Sequence, residues 1–121
     1  MSAHAETDMK KDYVFVVLSN PLPGTEERYN RWYSEVHLAD MLKVPGFTEA
    51  QRYKVAGVSG GGDAQFDYLA LYHAHTDAPQ EMLDEVLRRA GGPDMPIDAG
   101  MDENYFAVIY EPITPMVKAK S

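Results

Sequence analysis

Residues 29–53 read YNRWYSEVHLADMLKVPGFTEAQRY, and this stretch decides the fold. Its apolar and aromatic residues recur every three or four positions, which predicts one buried face of a helix. A Pro-Gly pair ends that helix, and the residues after the pair predict a strand. Tyr33, His37 and Asp40 stand about one turn apart, so their side chains are expected to project together. An apolar helix face that ends in two ionisable groups indicates a candidate site.

The rest of the chain supplies three more strands and a second helix. Runs of β-branched and aromatic residues predict the strands, and Gly, Pro and Asn clusters separate them. Pro79 in a first turn and an apolar stripe that stops at Gly91 predict the second helix. The predicted strands span about 13–18, 47–55, 66–74 and 105–110, and the predicted helices span about 25–43 and 77–90. This β-α-β-β-α-β order is typical of the ferredoxin-like α+β fold, in which two helices cover one face of a four-stranded antiparallel sheet.

The other face of the predicted sheet is left uncovered. The third strand alternates Tyr68, Ala70 and Tyr72 with Leu69 and Leu71. The leucines suit the helix side, so the tyrosines are expected on the open side. Such an apolar face is too large for a lone subunit. The simplest way to cover it is a second copy packed sheet to sheet, which predicts a homodimer.

Length and composition set the class of protein. The chain has 121 residues, of which 45% are hydrophobic, and this suits a single domain, predicted over 13–112 with tails at 1–12 and 113–121. A net charge of −8 argues against a nucleic-acid partner. No apolar run is long enough for a membrane span and no secretory leader is visible, so we expect a cytoplasmic protein. The absence of cysteine excludes disulfides and thiolate chemistry.

Two motifs in the opening stretch give a family resemblance. Together with the order of elements, YNxWYxxxHxxD at 29–40 and VPGFxxxQRY at 44–53 resemble the EthD-like group of the dimeric α/β-barrel superfamily. The resemblance covers about residues 13–112, and it implies a homodimer with a pocket between helix and sheet in each subunit. Related barrels include polyketide cyclases, anthrone-type oxygenases, muconolactone isomerase, small lyases and haem-degrading enzymes, so the resemblance does not choose a reaction. Many of them use no metal or organic cofactor, and we expect none here.

His37 is the first catalytic candidate, as a general acid or base, because an imidazole exchanges protons near neutral pH. The alternative is a core histidine that holds the helix to the Pro-Gly turn. Tyr33 and Tyr72 are the best tyrosines for polarising a carbonyl or phenolate oxygen. Asp40 is expected to support His37 by orienting the imidazole, or else to cap the following turn.

The predicted binding residues are mostly aromatic. Trp32, Phe15, Tyr68 and Phe106 are expected to wall a pocket for a flat apolar ring. Arg52 is a candidate for binding a carboxylate or enolate, and its alternative is a surface ion pair.

Two further patterns have competing interpretations. His73 and His75 share one face of a strand; His73 is a candidate for binding substrate, and with His37 the pair could form a three-histidine metal site. The alternative is a pair of solvent-facing histidines at a strand end, and we expect no metal. The glycines between 57 and 63 lack the ending of a phosphate-binding loop, so a hairpin connection is favoured.

These residues favour a cofactor-independent enzyme that acts on a small aromatic or polyketide-like molecule. Proton transfer by His37 next to a carbonyl or phenol would serve a cyclase, an isomerase, a decarboxylase or a lyase alike. One alternative is a non-catalytic protein that binds a small apolar ligand. Another is a dimeric-barrel oxygenase that uses haem or a metal through its histidines.

Overall fold

Apolar strands build one antiparallel sheet beneath a layer of helices. The computed structural model describes residues 9–120, and its strands lie in the order β2-β3-β1-β4. Residues 1–8 of the predicted N-terminal tail lie outside the described residues. The strands are β1 (Lys11–Ser19), β2 (Phe47–Lys54), β3 (Tyr68–Thr76) and β4 (Phe106–Tyr110). This architecture confirms the predicted ferredoxin-like α+β fold, and residues 57–63 join β2 to β3 as a hairpin connection.

The first helix is continuous but not α-helical throughout. Two glutamates occupy its first turn, where negative charge is favourable. Further along, the Leu38 N–H donates to the carbonyl of Tyr33, which is five residues back rather than four. The helical segments are α1 (Glu26–Trp32), the π-helical turn (Tyr33–His37), α2 (Leu38–Leu42) and, after β3, α3 (Pro79–Arg89). None of the described helices is long and apolar enough to cross a membrane.

The register of the sheet fixes which side chains face the helices. Phe15 pairs with Tyr72, and Val17 pairs with Ala70. Directly paired residues of antiparallel strands share a face. Because Phe15 and Val17 lie in the core, Tyr68, Ala70 and Tyr72 lie there as well, and each is at most 6% exposed.

The predicted orientation of the β3 side chains, with the leucines toward the helices and the tyrosines toward the open face, was therefore wrong. Leu69 and Leu71 lie half-buried on the open face of the sheet. Both sets of side chains are apolar enough for a core, so alternation alone does not choose between them. Packing makes the choice: the Tyr68 ring lies 5.4 Å from that of Tyr29 in the helix layer, and its hydroxyl accepts a hydrogen bond from Asn30 at 3.1 Å. A leucine in that place would leave the helix amide without this partner.

The Pro-Gly turn brings the end of the first helix against α3. Gly46 has a φ of +106°, a conformation that side chains rarely adopt. A Cβ atom at this position would lie 2.7 Å from the Sδ atom of the buried Met82. The glycine therefore lets the turn approach α3 closely and directs the chain into β2.

Candidate functional site

A cavity of about 510 Å³ lies between the sheet, both helices and the loop that leads to β4. Its volume falls within the range of sites for small organic molecules, roughly 300–1,000 Å³. Most of the lining is apolar, and a few polar side chains converge on it. The lining includes Phe15, Val17 and Tyr72 from the sheet, Tyr33, His37 and Met41 from the first helix, Gln80, Leu83 and Val86 from α3, and Met95, Ile97 and Tyr105 from the loop.

His37 is a buried histidine on the cavity wall. It is 8% exposed, and its ring stacks on Trp32 with 4.6 Å between centroids. Within residues 9–120 its Nδ1 atom has no hydrogen-bond partner. Burial lowers the pKa of His37 to about 4, the Asp40 carboxylate opposes that shift, and the Arg52 guanidinium adds to it. The imidazole is therefore neutral at pH 7 and is available to accept a proton.

The π-helical turn positions this histidine. Tyr33 and His37 are the first and last residues of the turn, and both line the cavity. Their rings meet edge to face, with 4.9 Å between centroids. π-helical turns inside α-helices are uncommon and occur frequently at functional sites. The sequence pattern did not predict the turn, because the spacing of apolar residues does not show where a backbone N–H donates to the carbonyl five residues back instead of four.

Two buried tyrosines present hydroxyl groups that stay protonated. Burial raises the pKa of Tyr33 to about 12. Burial, and after it the charge that the neighbouring Tyr33 phenol would carry, raises the pKa of Tyr72 well above its ordinary value. Both hydroxyls are therefore hydrogen-bond donors at neutral pH. The Tyr72 hydroxyl is buried and makes no hydrogen bond of normal geometry among the described residues, although the neighbouring Tyr33 hydroxyl interacts with it; an oxygen atom that reached it would supply the missing bond.

Asp40 acts on His37 through its charge. Its side chain is 12% exposed, and its carboxylate lies 3.6 Å from the Nζ atom of Lys43. The described chain forms no hydrogen bond between Asp40 and the imidazole, so the carboxylate does not orient the ring. It raises the pKa of His37 against the larger effect of burial, which is a supporting role.

Arg52 lies behind the cavity wall rather than in it. Its guanidinium carbon is 4.5 Å from the centre of the Tyr33 ring. It donates hydrogen bonds to Asn30 Oδ1 and Ser34 Oγ, each at 2.8 Å. These bonds tie β2 to α1 and to the π-helical turn. The guanidinium is thus engaged within the fold, and the structure supports neither the predicted contact with a substrate anion nor the surface ion pair.

The predicted wall aromatics lie in different places. Phe15 lines the cavity, and Trp32 backs the ring of His37. Tyr68 lies in the core beneath α1, beyond the cavity lining. Phe106 lies on the open face of the sheet, because the register of β4 with β1 turns the next residue toward the cavity instead. The prediction that Phe106 walls this pocket was wrong for that reason.

His73 and His75 lie on the face of the sheet opposite the cavity. Alternation along β3 points both side chains away from the helices. His73 lies 4.0 Å from the Glu49 carboxylate, and His75 lies 2.8 Å from that of Asp12. The predicted substrate contact of His73 was therefore wrong for this cavity. The pair does not meet His37, and the part of the chain that the structure describes holds no group of three His, Cys, Asp or Glu side chains suited to a metal.

The far wall of the cavity was missed by sequence reasoning. Leu83 and Val86 belong to the apolar stripe of α3, which the periodicity predicts only as core. Met95 is fully buried, and Ile97 lies near it in a loop rich in Gly, Pro and Asp. Such a loop has no periodic repeat from which a packed wall could be predicted. The one signal was the presence of large apolar residues in an otherwise polar loop.

Comparison with known proteins supports the fold. No family model and no curated protein matches the sequence. An ethyl tert-butyl ether D (EthD) family protein from Bacillus halodurans C-125 has a similar structure: the sequences are 14% identical, the match covers 84% of this chain and 99% of that chain, and the TM-score is 0.50. A mutant of MhuD, solved with two manganese protoporphyrin IX molecules per active site, is 13% identical; that match covers 88% of this chain and 99% of the other, with a TM-score of 0.58. The chain therefore has the fold of an EthD family protein, and the resemblance carried by residues 29–53 is confirmed at the level of the fold.

Proposed function

We propose that this protein is an enzyme that moves a proton on a small aromatic or polyketide-like molecule without a cofactor. The observation that carries the proposal is the meeting of one neutral imidazole and two protonated phenols in an apolar cavity. Ionisable groups with shifted pKa values in a large apolar pocket are a common mark of an active site. The fold alone would not support a reaction, because many reactions share it.

His37 is the proposed base. Its neutral imidazole takes a proton from a carbon next to a carbonyl group, or from a phenol, and the electron pair left behind moves onto the substrate oxygen. The hydroxyls of Tyr72 and Tyr33 donate hydrogen bonds to that oxygen and stabilise its negative charge. With a pKa of about 4, the buried imidazolium is a stronger acid than an ordinary imidazolium and readily returns the proton, while the neutral ring is correspondingly a weaker base in the first step. Protonation of the enolate at another atom is an isomerisation, and its attack on a second carbonyl group is a cyclisation. A decarboxylation or another lyase reaction instead forms the enolate by breaking a C–C bond, with CO₂ or another fragment leaving, and a proton then returns to the carbon.

The cavity is a poor fit for a metalloporphyrin such as the one bound by MhuD. Protoporphyrin carries carboxylates, and a protein that buries carboxylates pairs them with cations. No Lys or Arg is found among the described residues that line the cavity. The proposal therefore contains no step through such a group.

Hydrogen exchange on a model ketone tests the proposed base. We expect the protein to speed the exchange of the C2 hydrogens of 1-tetralone, an uncharged bicyclic aromatic ketone, with deuterium in D₂O. The His37→Gln variant should lose most of this acceleration, roughly 10²- to 10⁴-fold, the usual contribution of a general base. Proton NMR of the ketone at pD near 7 measures both rates. His75→Gln is the matched control, because His75 lies on the other face of the sheet, and it should retain the wild-type rate.

A second candidate is a non-catalytic protein that holds a small apolar ligand, which the largely apolar lining also suits. It predicts that 1-tetralone binds but exchanges at the solvent rate, and that His37→Gln binds it equally well. That result would contradict the proposed enzyme and leave the binding cavity in place.

A further inference from the structure

We propose that the cavity selects uncharged ring compounds that carry a hydrogen-bond-accepting oxygen, and that it rejects the corresponding carboxylates. This inference rests on the proposed small-molecule function and narrows its substrate class, and it removes the decarboxylation of an ionised carboxylate from the reactions proposed above. It is carried by the charges around the cavity and by the unpartnered hydroxyl in its wall.

The cavity wall offers no partner for a charged group. Its described lining residues include His, Gln and Tyr among apolar side chains, and none is Lys, Arg, Asp or Glu. An ionised group moved from water into such a wall loses hydration without gaining a counter-charge. A ligand that enters must therefore be uncharged where it is enclosed.

Arg52, the cation that packs against the cavity wall, is not available to an anionic ligand. The Arg52 guanidinium lies over the Tyr33 ring at 4.5 Å and over the Tyr68 ring at 5.3 Å. Its Nη atoms donate to Asn30 and Ser34. These contacts hold the guanidinium behind the tyrosine that forms the wall and use both Nη atoms, while the buried Nε atom has no partner among the described residues.

The charge of the loop that forms one wall also disfavours anions. The loop over residues 91–105, which forms one wall, contains four acidic residues and no Lys or Arg. Only one of the four, Asp98, forms a described ion pair, with Arg28 at 3.0 Å. The whole chain carries a net charge of −8, so a negatively charged ligand meets a repulsive field before it enters.

The requirement for an acceptor oxygen comes from Tyr72. Tyr72 is fully buried, and its hydroxyl makes no hydrogen bond of normal geometry within the described chain. Phe15 and Phe47 pack on its ring with centroids at 5.8 and 5.6 Å, so the ring cannot turn its donor elsewhere without disturbing the core. The hydroxyl is closed off from the cavity in this structure, so a carbonyl, ether or phenol oxygen of the ligand would accept this hydrogen bond after a small shift of the side chains around it.

Three matched probes test the inference by equilibrium dialysis at pH 7: methyl 1-naphthoate, 1-naphthoate and naphthalene. They share one ring system and differ in charge and in the acceptor oxygen. We expect the ester to bind most tightly, with naphthoate weaker by roughly tenfold or more. Naphthalene should lie between them, and Tyr72→Phe should remove the advantage of the ester over naphthalene.

A gain of binding supplies the stricter test. Leu83 lines the cavity and is only partly buried, so a longer side chain has room there. Leu83→Lys should raise the affinity for naphthoate by roughly tenfold relative to the uncharged variant Leu83→Gln. Circular dichroism and thermal unfolding of both variants check that the fold is kept.

The outcomes separate this inference from the proposed function. If naphthoate binds as tightly as the ester, the selection against charge is wrong while the small-molecule cavity stands. If Leu83→Lys folds and gains no affinity for naphthoate, the absence of a cation is not what excludes anions, which also overturns the inference. If none of the three probes binds, the cavity is not a site for small molecules and the proposed function fails with it.

Discussion

At the scale of single residues, the site depends on polar atoms that the fold leaves without partners. The Nδ1 atom of His37, the hydroxyl of Tyr72 and the Nε atom of Arg52 are buried, and none of them makes a hydrogen bond of normal geometry among the described residues. Native cores rarely keep such groups, because each one loses its hydrogen bonds to water and gains nothing in return. His37 and Tyr72 both line one cavity, so a ligand seated there would supply their missing partners after a small shift of the wall, whereas Arg52 lies behind that wall.

Removal of the Tyr72 hydroxyl should therefore cost no stability. We expect Tyr72→Phe to change the free energy of unfolding by less than about 0.5 kcal/mol, or to raise it, because no hydrogen bond of normal geometry is lost. Tyr29→Phe is the matched control: Tyr29 is equally buried, but its hydroxyl is hydrogen-bonded to Ser19 at 2.5 Å. That variant should lose about 1 kcal/mol. Urea unfolding of the two variants measures the difference, and equal losses would contradict this account of Tyr72.

The buried imidazole should also make stability depend on pH. The folded pKa of His37 is about 4, below the ordinary 6.5 of an unfolded histidine, so between these values the unfolded chain binds one more proton. The free energy of unfolding therefore has its full value above pH 6.5. It falls by up to about 3 kcal/mol as the pH is lowered toward 4, because the unfolded histidine binds a proton that the folded one does not. Urea unfolding of wild type and His37→Gln from pH 7.5 to 4 isolates this contribution as the difference between the two curves. Parallel curves would show that His37 is not buried as described.

At the scale of elements, the π-helical turn and Arg52 form one unit. Arg52 donates to Asn30 in α1 and to Ser34 inside the turn, and its guanidinium lies over the Tyr33 ring. The turn is therefore held from the side of the sheet, on the side away from the cavity. His37 owes its place on the wall to this support.

Loss of the Arg52 guanidinium should lower the free energy of unfolding and also raise the pKa of His37. Arg52→Met should lower the free energy of unfolding by about 2 kcal/mol, because two charge-assisted hydrogen bonds and a cation–π contact disappear. It should also raise the pKa of His37, since the Arg52 charge lowers it. Arg31→Met, which removes only an exposed ion pair with Glu27, should cost less than about 0.5 kcal/mol. Urea unfolding and an NMR titration of His37 measure the two effects, and similar costs for both variants would contradict the supporting role of Arg52.

The elements also show where prediction from sequence succeeds and where it stops. The run from Tyr29 to Phe47 predicted the helix, its stop and the following strand, because spacing and Pro-Gly chemistry are local properties. The face of β3 is not local: tyrosine and leucine both suit a core, and only the register with β1 decides between them. The same limit explains why Phe106 and His73 lie on the face opposite to the predicted one. Side chains alternate along a strand, so an error of one residue in the assigned alternation moves every side chain of that strand to the other face of the sheet.

At the scale of the whole molecule, the open face of the sheet is an apolar surface that the described helices do not cover. Val14, Val16 and Leu18 of β1 lie half-buried there beside the leucines of β3. The C-terminal residues Ile113 and Met116 are 93% and 88% exposed. We propose that a second copy covers this face and that the described chain is one half of a homodimer.

A charge in the middle of the open face should break that assembly. We expect light scattering at micromolar concentration to give the mass of two 13.5 kDa chains for wild type, and of one chain for Leu71→Asp. Val58→Asp is the control, because Val58 lies in the loop between β2 and β3 and should leave the dimer intact. A wild-type mass of one chain would rule out the dimer and require another explanation for the half-exposed apolar face.

The central claim is that His37 is a neutral base on the wall of an apolar cavity, and its own titration tests this most directly. The imidazole signals of ¹⁵N-labelled protein, assigned by their absence in His37→Gln, report its protonation as the pH is lowered. We expect His37 to remain neutral at pH 6 and to titrate near pH 4. A midpoint near the ordinary 6.5 would mean that water solvates the ring, and the buried base on which the proposed chemistry depends would not exist.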